Sequence, residues 1–275
     1  MRIFSFIISI MAVWINVHAQ SERYIALMDS ADYYIAHDRW ERAEETIKEA
    51  LRLEPANFNN CLLLSNLGII YSNQNRFDDA IDAFTLGLSI APNSTVILNN
   101  RARAYLFSGK IEECLEDLNS SLNIDSLQEW PRQTRGSLVL EKGDFTTARD
   151  DFNFILNKNP QNAFALYGLG LVEEAEGNED SAIKYYEQSL DIIDDEETEI
   201  AYISLLLNME NYSKASSNIR KCIEKYPDNP IFYLLRGCYH KLNFRNEEAE
   251  ADKKIALSKG LDIETINQVF DNIGR

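Results

Sequence analysis

A regular spacing of small side chains constrains this chain more than any other feature of its sequence. The residues that recur at an interval of 34 are Gly68, Ala102, Gly136 and Gly170. Ser204 falls on the next step, and Gly237 follows after 33 more residues. A fixed period of this length indicates an array of similar supersecondary units, none of which can bury its apolar face alone.

The pattern around Gly68 indicates that each unit is a pair of antiparallel helices. Apolar residues three and four positions apart give each helix one buried stripe. The small side chains at Gly68 and Ala80 let the two helices approach closely, and Pro92 ends the second helix. One such hairpin leaves apolar surface exposed, so the hairpins must stack.

The same residues resemble the signature of the tetratricopeptide repeat. The matching positions are Leu64, Leu67, Gly68, Tyr71, Ala80, Phe84 and Pro92, with Leu64 in place of the usual Trp. The resemblance implies an all-α fold, a right-handed α-solenoid of about seven tetratricopeptide hairpins with a C-terminal capping helix. It specifies the fold closely and the function poorly, because one fold supports many functions.

The repeat frame predicts one tetratricopeptide domain over residues 20–275. Its units are expected at 24–57, 61–94, 95–128, 129–162, 163–196, 197–229 and 230–263, followed by a cap at 264–275. The sixth unit is one residue short, and we place the missing residue in its internal turn, which leaves Ser204 out of frame. The seventh unit has Arg236, His240 and Lys253 at apolar positions and is expected to end the stack.

Residues 1–19 have the pattern of a secretory signal peptide. Arg2 supplies the positive start, residues 3–15 are almost uniformly apolar, and Val17 to Ala19 are suited to cleavage. The pattern predicts an exported protein of the periplasm or cell envelope, whose mature chain begins at Gln20. The alternative is an uncleaved signal that anchors the protein to the membrane.

The charge balance argues against nucleic acid as a partner. The chain has 27 Lys and Arg against 44 Asp and Glu, a formal net charge of −17. Binding to a phosphate backbone needs clustered cations, so nucleic acids and anionic membranes are poor partners. The same argument disfavours an RNA-reading array of similar helical hairpins, which needs a basic groove.

The sequence offers no basis for catalysis. His37 and His240 are the two histidines after residue 19 and are far apart, and no hydrolase, zinc or nucleotide motif is present. We expect no enzyme activity, cofactor, metal or small-molecule substrate. The cysteines, Cys61, Cys114, Cys222 and Cys238, are expected to act as small buried hydrophobes, although export would permit disulfides among them.

The family resemblance implies that the first helix of each hairpin lines a concave groove. The predicted ligand-binding residues of this groove are Asn99, Arg103, Phe107, Trp130, Gln133, Ser137, Phe164, Tyr167 and Leu171. Exposed aromatic side chains beside amide and guanidinium groups suit recognition of a peptide. The alternative is that Trp130, Phe164 and Leu171 pack between helices. The cationic part of the family's chaperone-tail clamp is missing, so such a tail is not the expected ligand.

These observations predict a non-enzymatic scaffold that binds a protein or peptide in its groove. The partner belongs to an exported assembly on this hypothesis. A second hypothesis is a structural module that associates with further copies of itself, as a homo-oligomer. An enzyme is a third, for which the sequence supplies no residues.

Overall fold

The computed structural model describes residues 21–272, and within this range the protein is entirely helical. Fifteen α-helices and no strand occur in the described part of the chain. The helices are α1 (21–36), α2 (Trp40–Leu53), α3 (Asn60–Asn73), α4 (Phe77–Ile90), α5 (Thr95–Phe107), α6 (Ile111–Ile124), α7 (Glu129–Glu141), α8 (Phe145–Lys158), α9 (Ala163–Ala175), α10 (Glu179–Ile192), α11 (Glu196–Asn208), α12 (Tyr212–Lys225), α13 (Pro230–Leu242), α14 (Asn246–Ser258) and α15 (Ile263–Asn272).

Helices α1 to α14 form seven hairpins, and α15 follows them. The predicted signal peptide, residues 1–19, lies outside the described residues. The chain forms two compact units, with the boundary between Pro131 and Arg132 inside α7. None of the described helices is both long enough and apolar enough to cross a membrane.

The turn inside each hairpin has three residues, and the middle one has a left-handed backbone. These middle residues are Asp38, Asn75, Gly109, Gly143, Gly177, Glu210 and Phe244, with φ between 54° and 82°. Glycine adopts this conformation without steric cost, and Asn and Asp tolerate it. Glu210 and Phe244 are the unusual cases, and Phe244 is a bulky residue that is 92% exposed.

The frame of the sixth hairpin differs from the one predicted. Helix α11 begins at Glu196, and the turn between α11 and α12 has the usual three residues, 209–211. The missing residue is in the connection between α10 and α11, which has three residues where the other connections from α4 onward have four. Ile203 rather than Ser204 therefore continues the series that starts at Gly68, and Ile203 is fully buried.

Side-chain size is matched between the two helices of several hairpins, at positions sixteen residues apart. A Cβ atom added to Gly68 would lie 2.5 Å from the ring of Phe84, and one added to Gly136 would lie 3.0 Å from the ring of Phe152. Gly170 is in the same relation to Tyr186. A small residue thus gives the space that an aromatic ring fills, which sets the helix separation.

Where the first residue of this pair is larger, the second is not aromatic. Ala102 pairs in sequence with Leu118, and Ile203 with Ile219, and all four are buried. The smaller second side chain therefore limits the combined volume of the pair, as close packing requires.

The last hairpin obtains its aromatic ring from α15. A Cβ atom on Gly237 would lie 2.8 Å from the ring of Phe270, because Lys253 occupies the position that an aromatic residue holds elsewhere. Ile266 and Phe270 are buried in the core of hairpins five to seven. The predicted capping helix is therefore present.

Candidate functional site

Four of the nine predicted groove residues belong to the first compact unit, and there Arg103 and Trp130 are brought together. The guanidinium carbon of Arg103 lies 4.7 Å from the centre of the Trp130 ring, within the range of a cation–π contact. Arg103 is exposed and Trp130 is partly buried. Phe107 is 65% exposed and stacks on Phe77, with ring centres 5.5 Å apart.

Asn99 is engaged inside the protein. Its Nδ2 donates to Oε1 of Gln128 at 2.6 Å. Gln128 in turn donates from Nε2 to the carbonyl and hydroxyl oxygens of Ser121, at 3.1 and 3.0 Å. The Nδ2 group of Asn99 therefore holds the connection between α6 and α7, while its Oδ1 is buried and has no hydrogen-bond partner among the described residues.

In the second unit, four predicted residues line one cavity of about 250 Å³. Ser137 on α7 and Phe164, Tyr167 and Leu171 on α9 contribute to its wall. The cavity is completed by Leu140, Glu141, Phe152, Gly168 and Glu197. Gln133 is not among the lining residues. Predicted positions on two first helices thus meet at one surface, together with a residue of α11.

A smaller cavity of about 110 Å³ adjoins the first. It shares Phe164, Tyr167 and Glu197 with the first cavity. Its other lining residues are Ala163, Ser189, Ile193, Asp195 and Thr198. We call the two cavities together the trough. Its volume lies in the range of sites that accept a few side chains of a peptide or a small ligand.

Close packing of α8 against α9 shapes the wall of the trough. A Cβ atom on Gly168 would lie 2.5 Å from the ring of Phe152, so this glycine permits the ring to sit against the α9 backbone. Phe152 then meets Phe164 edge to face, with ring centres 6.2 Å apart. The aromatic ring of Phe164 is held by this contact and remains 40% exposed.

Apart from the Tyr167 hydroxyl, the ionisable side chains that line the trough are all carboxylic acids. They are Glu141, Asp195 and Glu197, and no Lys, Arg or His lines either cavity of the trough. Oδ2 of Asp195 accepts hydrogen bonds from the backbone N–H and the hydroxyl of Thr198, at 2.9 and 2.8 Å. Glu141 and Glu197 are exposed and form no ion pair with a residue in the described range.

The trough's electrostatics also affect Tyr167. Burial raises the pKa of the Tyr167 hydroxyl, and the negative charges of Glu197, Asp195 and Glu174 add to this effect. The neutral phenol is therefore the stable form, and its O–H is a hydrogen-bond donor at the trough wall.

Three buried Arg–Asp pairs were not anticipated. Each joins the seventh residue of a hairpin's first helix to an Asp sixteen residues later, and the pairs are Arg101–Asp117, Arg135–Asp151 and Arg236–Asp252. In each, two guanidinium nitrogens donate to the two carboxylate oxygens at 2.6 to 2.9 Å. The repeated spacing of sixteen was visible in the sequence and could have indicated these pairs.

The four cysteines are free thiols in the structure, and all are buried. Burial raises the pKa of Cys114 to about 11 and the pKa of Cys222 and Cys238 to about 12. Thiols of this kind are poor nucleophiles. Within residues 21–272 no group of His, Cys, Asp and Glu is arranged to hold a metal ion.

Comparison with known families identifies the repeat. Models of the family described as Tetratricopeptide repeat match residues 61–94 and 134–197. A crystal structure of a tetratricopeptide repeat protein from Parabacteroides merdae is similar over 91% of this chain and 98% of that chain, with a TM-score of 0.70 and 28% identity. The chain therefore carries tetratricopeptide repeats, and the predicted all-α solenoid of about seven such hairpins is confirmed.

Curated relatives match parts of the chain. Tetratricopeptide repeat protein 36 of Caenorhabditis elegans is 36% identical over 28% of this chain and 42% of its own length. The Hsp70-Hsp90 organizing protein of Triticum aestivum is 27% identical over 66% of this chain and 32% of its own length. The chain spans less than half the length of these relatives. The matched family models describe repeats and no catalytic domain.

Proposed function

We propose that the protein is a non-enzymatic scaffold that binds a segment of a partner protein in the trough. The observation that carries this proposal is the meeting of Phe164, Tyr167 and Glu197 at one open surface built by α7, α9 and α11. Tetratricopeptide relatives whose names refer to protein partners support the general role. The lining of the trough supports the more specific role, the binding of a peptide segment.

The chemistry of the trough specifies the class of peptide. Its walls offer aromatic and aliphatic side chains, Phe164, Leu140 and Leu171 among them, and its charged groups are carboxylates. A ligand that fits has an apolar side chain beside a Lys or Arg, whose aliphatic stem packs on the rings while its cation reaches Glu141 or Glu197. An acidic peptide would be repelled.

Matched peptides test this assignment. A peptide with alternating apolar and lysine residues should bind the chain, and the same peptide with acetylated lysines should bind about tenfold more weakly, since the charge-assisted contacts are lost. Glu197→Gln should lower the affinity for the lysine peptide and leave that for the acetylated peptide unchanged. Glu248→Gln, an exposed carboxylate on α14, is the control.

The aromatic residues give an independent test of the site. Tyr167→Ala should weaken peptide binding by about 2 kcal/mol, because an aromatic anchor in a pocket contributes most of the affinity. Unchanged affinity in a folded Tyr167→Ala variant would rule out the trough as the peptide site.

Self-association is a second candidate function, and an exposed apolar row favours it. Ile25, Leu62 and Val96 occupy equivalent positions on α1, α3 and α5 and are 55%, 55% and 63% exposed. Exposed apolar residues in a repeated row suit an interface between copies. Sedimentation of the wild type and of Leu62→Ser at several concentrations tests this role, because the row predicts association that the variant weakens.

Export to the periplasm or envelope is part of the proposal and rests on residues 1–19. The assembly in which the scaffold operates is then outside the cytoplasm. Mass spectrometry of the exported protein should find Gln20 as the first residue. An intact N-terminus in the membrane fraction would instead support the anchored form.

A further inference from the structure

A cavity of about 370 Å³ lies between α12 and α13, away from the lining of the trough. Its floor is apolar, formed by Ile219 and Ile223 on α12. Its polar wall includes two guanidinium groups, Arg220 on α12 and Arg236 on α13, and it also has Ser216 and His240. Two arginines at one cavity are notable in a chain whose net charge is −17.

The repeat supplies an internal reference for this cavity. Helices α4 and α5 are the second helix of one hairpin and the first of the next, as are α12 and α13. Counted from the helix starts, Ile81 corresponds to Ser216 and Thr85 to Arg220. Arg101 corresponds in the same way to Arg236.

At α4–α5 the position of Ser216 is held by a larger, buried side chain, and the arginine has a third hydrogen-bond acceptor. Arg101 donates from Nε and Nη2 to Asp117, both at 2.7 Å, and from Nη1 to the hydroxyl of Thr85 at 2.9 Å. Ile81 is buried, with 8% of its surface exposed. The hydroxyl of Thr85 is thus the third acceptor of a guanidinium that has five N–H donors.

At α12–α13 both features are missing. Arg236 donates from Nε and Nη2 to Asp252 at 2.9 and 2.6 Å. Its Nη1 has no hydrogen-bond acceptor among the described residues. Ser216 replaces the larger Ile81, so the space stays open. The acceptor position is held by Arg220, a second cation that forms no ion pair with a described residue.

We propose that this cavity is a binding site for a small organic acid that has one carboxylate and an apolar body. A carboxylate oxygen takes the place that the Thr85 hydroxyl holds at α4–α5 and accepts from Nη1 of Arg236, while Arg220 donates to the same group. The apolar body lies against Ile219 and Ile223. The site is separate from the peptide function, and it departs from the expectation that the chain binds no small molecule.

The remaining groups of the cavity limit the ligand to one carboxylate. Glu224 is an exposed carboxylate on the rim, and it would repel a second negative charge. Nε2 of His240 is 3.7 Å from Oδ2 of Asp252, and its Nδ1 is buried with no hydrogen-bond partner among the described residues. Tyr239 adds aromatic surface to the wall.

Calorimetric titration of the full chain with 3-phenylpropionate and with hexanoate tests the site. The uncharged control is 3-phenylpropanamide, which has the same apolar body. The acids should bind, and the amide should bind at least about tenfold more weakly, because it lacks the charge that pairs with the guanidinium groups. Equal binding of acid and amide, or no binding of either acid, would overturn the proposal.

Two variants that copy the internal reference locate the site. Ser216→Ile should abolish binding by refilling the cavity, and Arg220→Thr should weaken it at least about tenfold by giving Arg236 an internal acceptor. Lys221→Thr, at the adjacent exposed residue that does not line the cavity, should change affinity less than about twofold. Thermal melts report whether each variant is folded. If Ser216→Ile does not fold, the test rests on Arg220→Thr, which changes an exposed residue. Unchanged affinity for 3-phenylpropionate in either folded variant would contradict the proposed site.

Discussion

Two contacts at equivalent places in the repeat, α4–α5 and α12–α13, share an Arg–Asp ion pair and differ in the side chains at two neighbouring positions, Ile81 and Thr85 on α4 against Ser216 and Arg220 on α12. Both contain an Arg that donates two hydrogen bonds to a buried Asp sixteen residues later. At α4–α5 Ile81 is buried and Thr85 accepts a hydrogen bond from the Arg, whereas at α12–α13 Ser216 and Arg220 line a cavity of about 370 Å³. Because the ion pair is present at both contacts, the difference between them lies in the neighbouring positions on α4 and α12.

The largest effect is expected from removing the ion pair that the two contacts share. Asp117→Ala should lower the free energy of unfolding by about 3–5 kcal/mol, because it leaves a guanidinium buried without its partner. Asp252→Ala should have a smaller effect, since 34% of the Arg236 side chain is exposed against 19% for Arg101. Urea unfolding measures both values. If Asp252→Ala lowers the free energy of unfolding as much as Asp117→Ala or more, the exposure of the arginine does not determine the cost of removing its partner.

The next largest effect concerns the size-matched pair within each hairpin. Gly68→Ile should destabilise the fold by more than about 2 kcal/mol, because its side chain would overlap the ring of Phe84. Adding Phe84→Ile to this variant copies the Ile203–Ile219 pair of α11 and α12. The double variant should recover most of the loss in a thermal melt. If it is as unstable as the single variant, size matching does not explain the pair.

A transplant of two residues should convert the closed contact into the open one. Ile81→Ser with Thr85→Arg should cost about 2 kcal/mol of stability, mainly through the lost burial of Ile81. It should also add a second site for 3-phenylpropionate, which calorimetry detects as a doubled stoichiometry. Ile81→Ser alone is the control, since it opens the space without adding the cation. An unchanged stoichiometry in the folded double variant would show that the open contact needs more than these two positions.

The smallest effect is expected at the turns of the hairpins that contain these contacts. Gly109 and Phe244 both have a left-handed backbone, with φ of 74° and 60°. Phe244→Gly should raise stability by about 0.5 kcal/mol, because relief of the strained backbone exceeds the entropy that glycine adds to the unfolded chain. A lower melting temperature would show instead that the exposed ring makes a stabilising contact.

The repeat period predicted the hairpins because it follows from packing that every unit must satisfy. The small residue at Gly68, the ring at Phe84 and the cap with Phe270 are consequences of that packing. The frame of the sixth hairpin was wrong for a physical reason. Ser204 is small and lies 34 residues after Gly170, so the period assigns it to the series that starts at Gly68. The structure places Ile203 in that series, and its partner sixteen residues later is Ile219 instead of an aromatic residue.

The candidate sites were less accessible to sequence reasoning. Position in the repeat placed Phe164 and Tyr167 at the trough, since first-helix residues at set positions point the same way. It did not select Glu141 or Glu197, whose contribution depends on neighbouring helices. The α12–α13 cavity arises from side-chain volume that is missing relative to an equivalent contact, and such a difference becomes visible when the two contacts are compared.

The origin of the ring that covers Gly237 has a consequence for how such an array changes during evolution. In hairpins two, four and five, the small residue and its aromatic partner lie in the same hairpin, so duplication or loss of a whole hairpin moves both together. Gly237 instead depends on Phe270 of α15. If the seventh hairpin were copied to an earlier place in the array, the copy would lack α15. The glycine that corresponds to Gly237 would then have no aromatic ring packed against it. Gain and loss of repeats by recombination should therefore be confined to the hairpins that precede it.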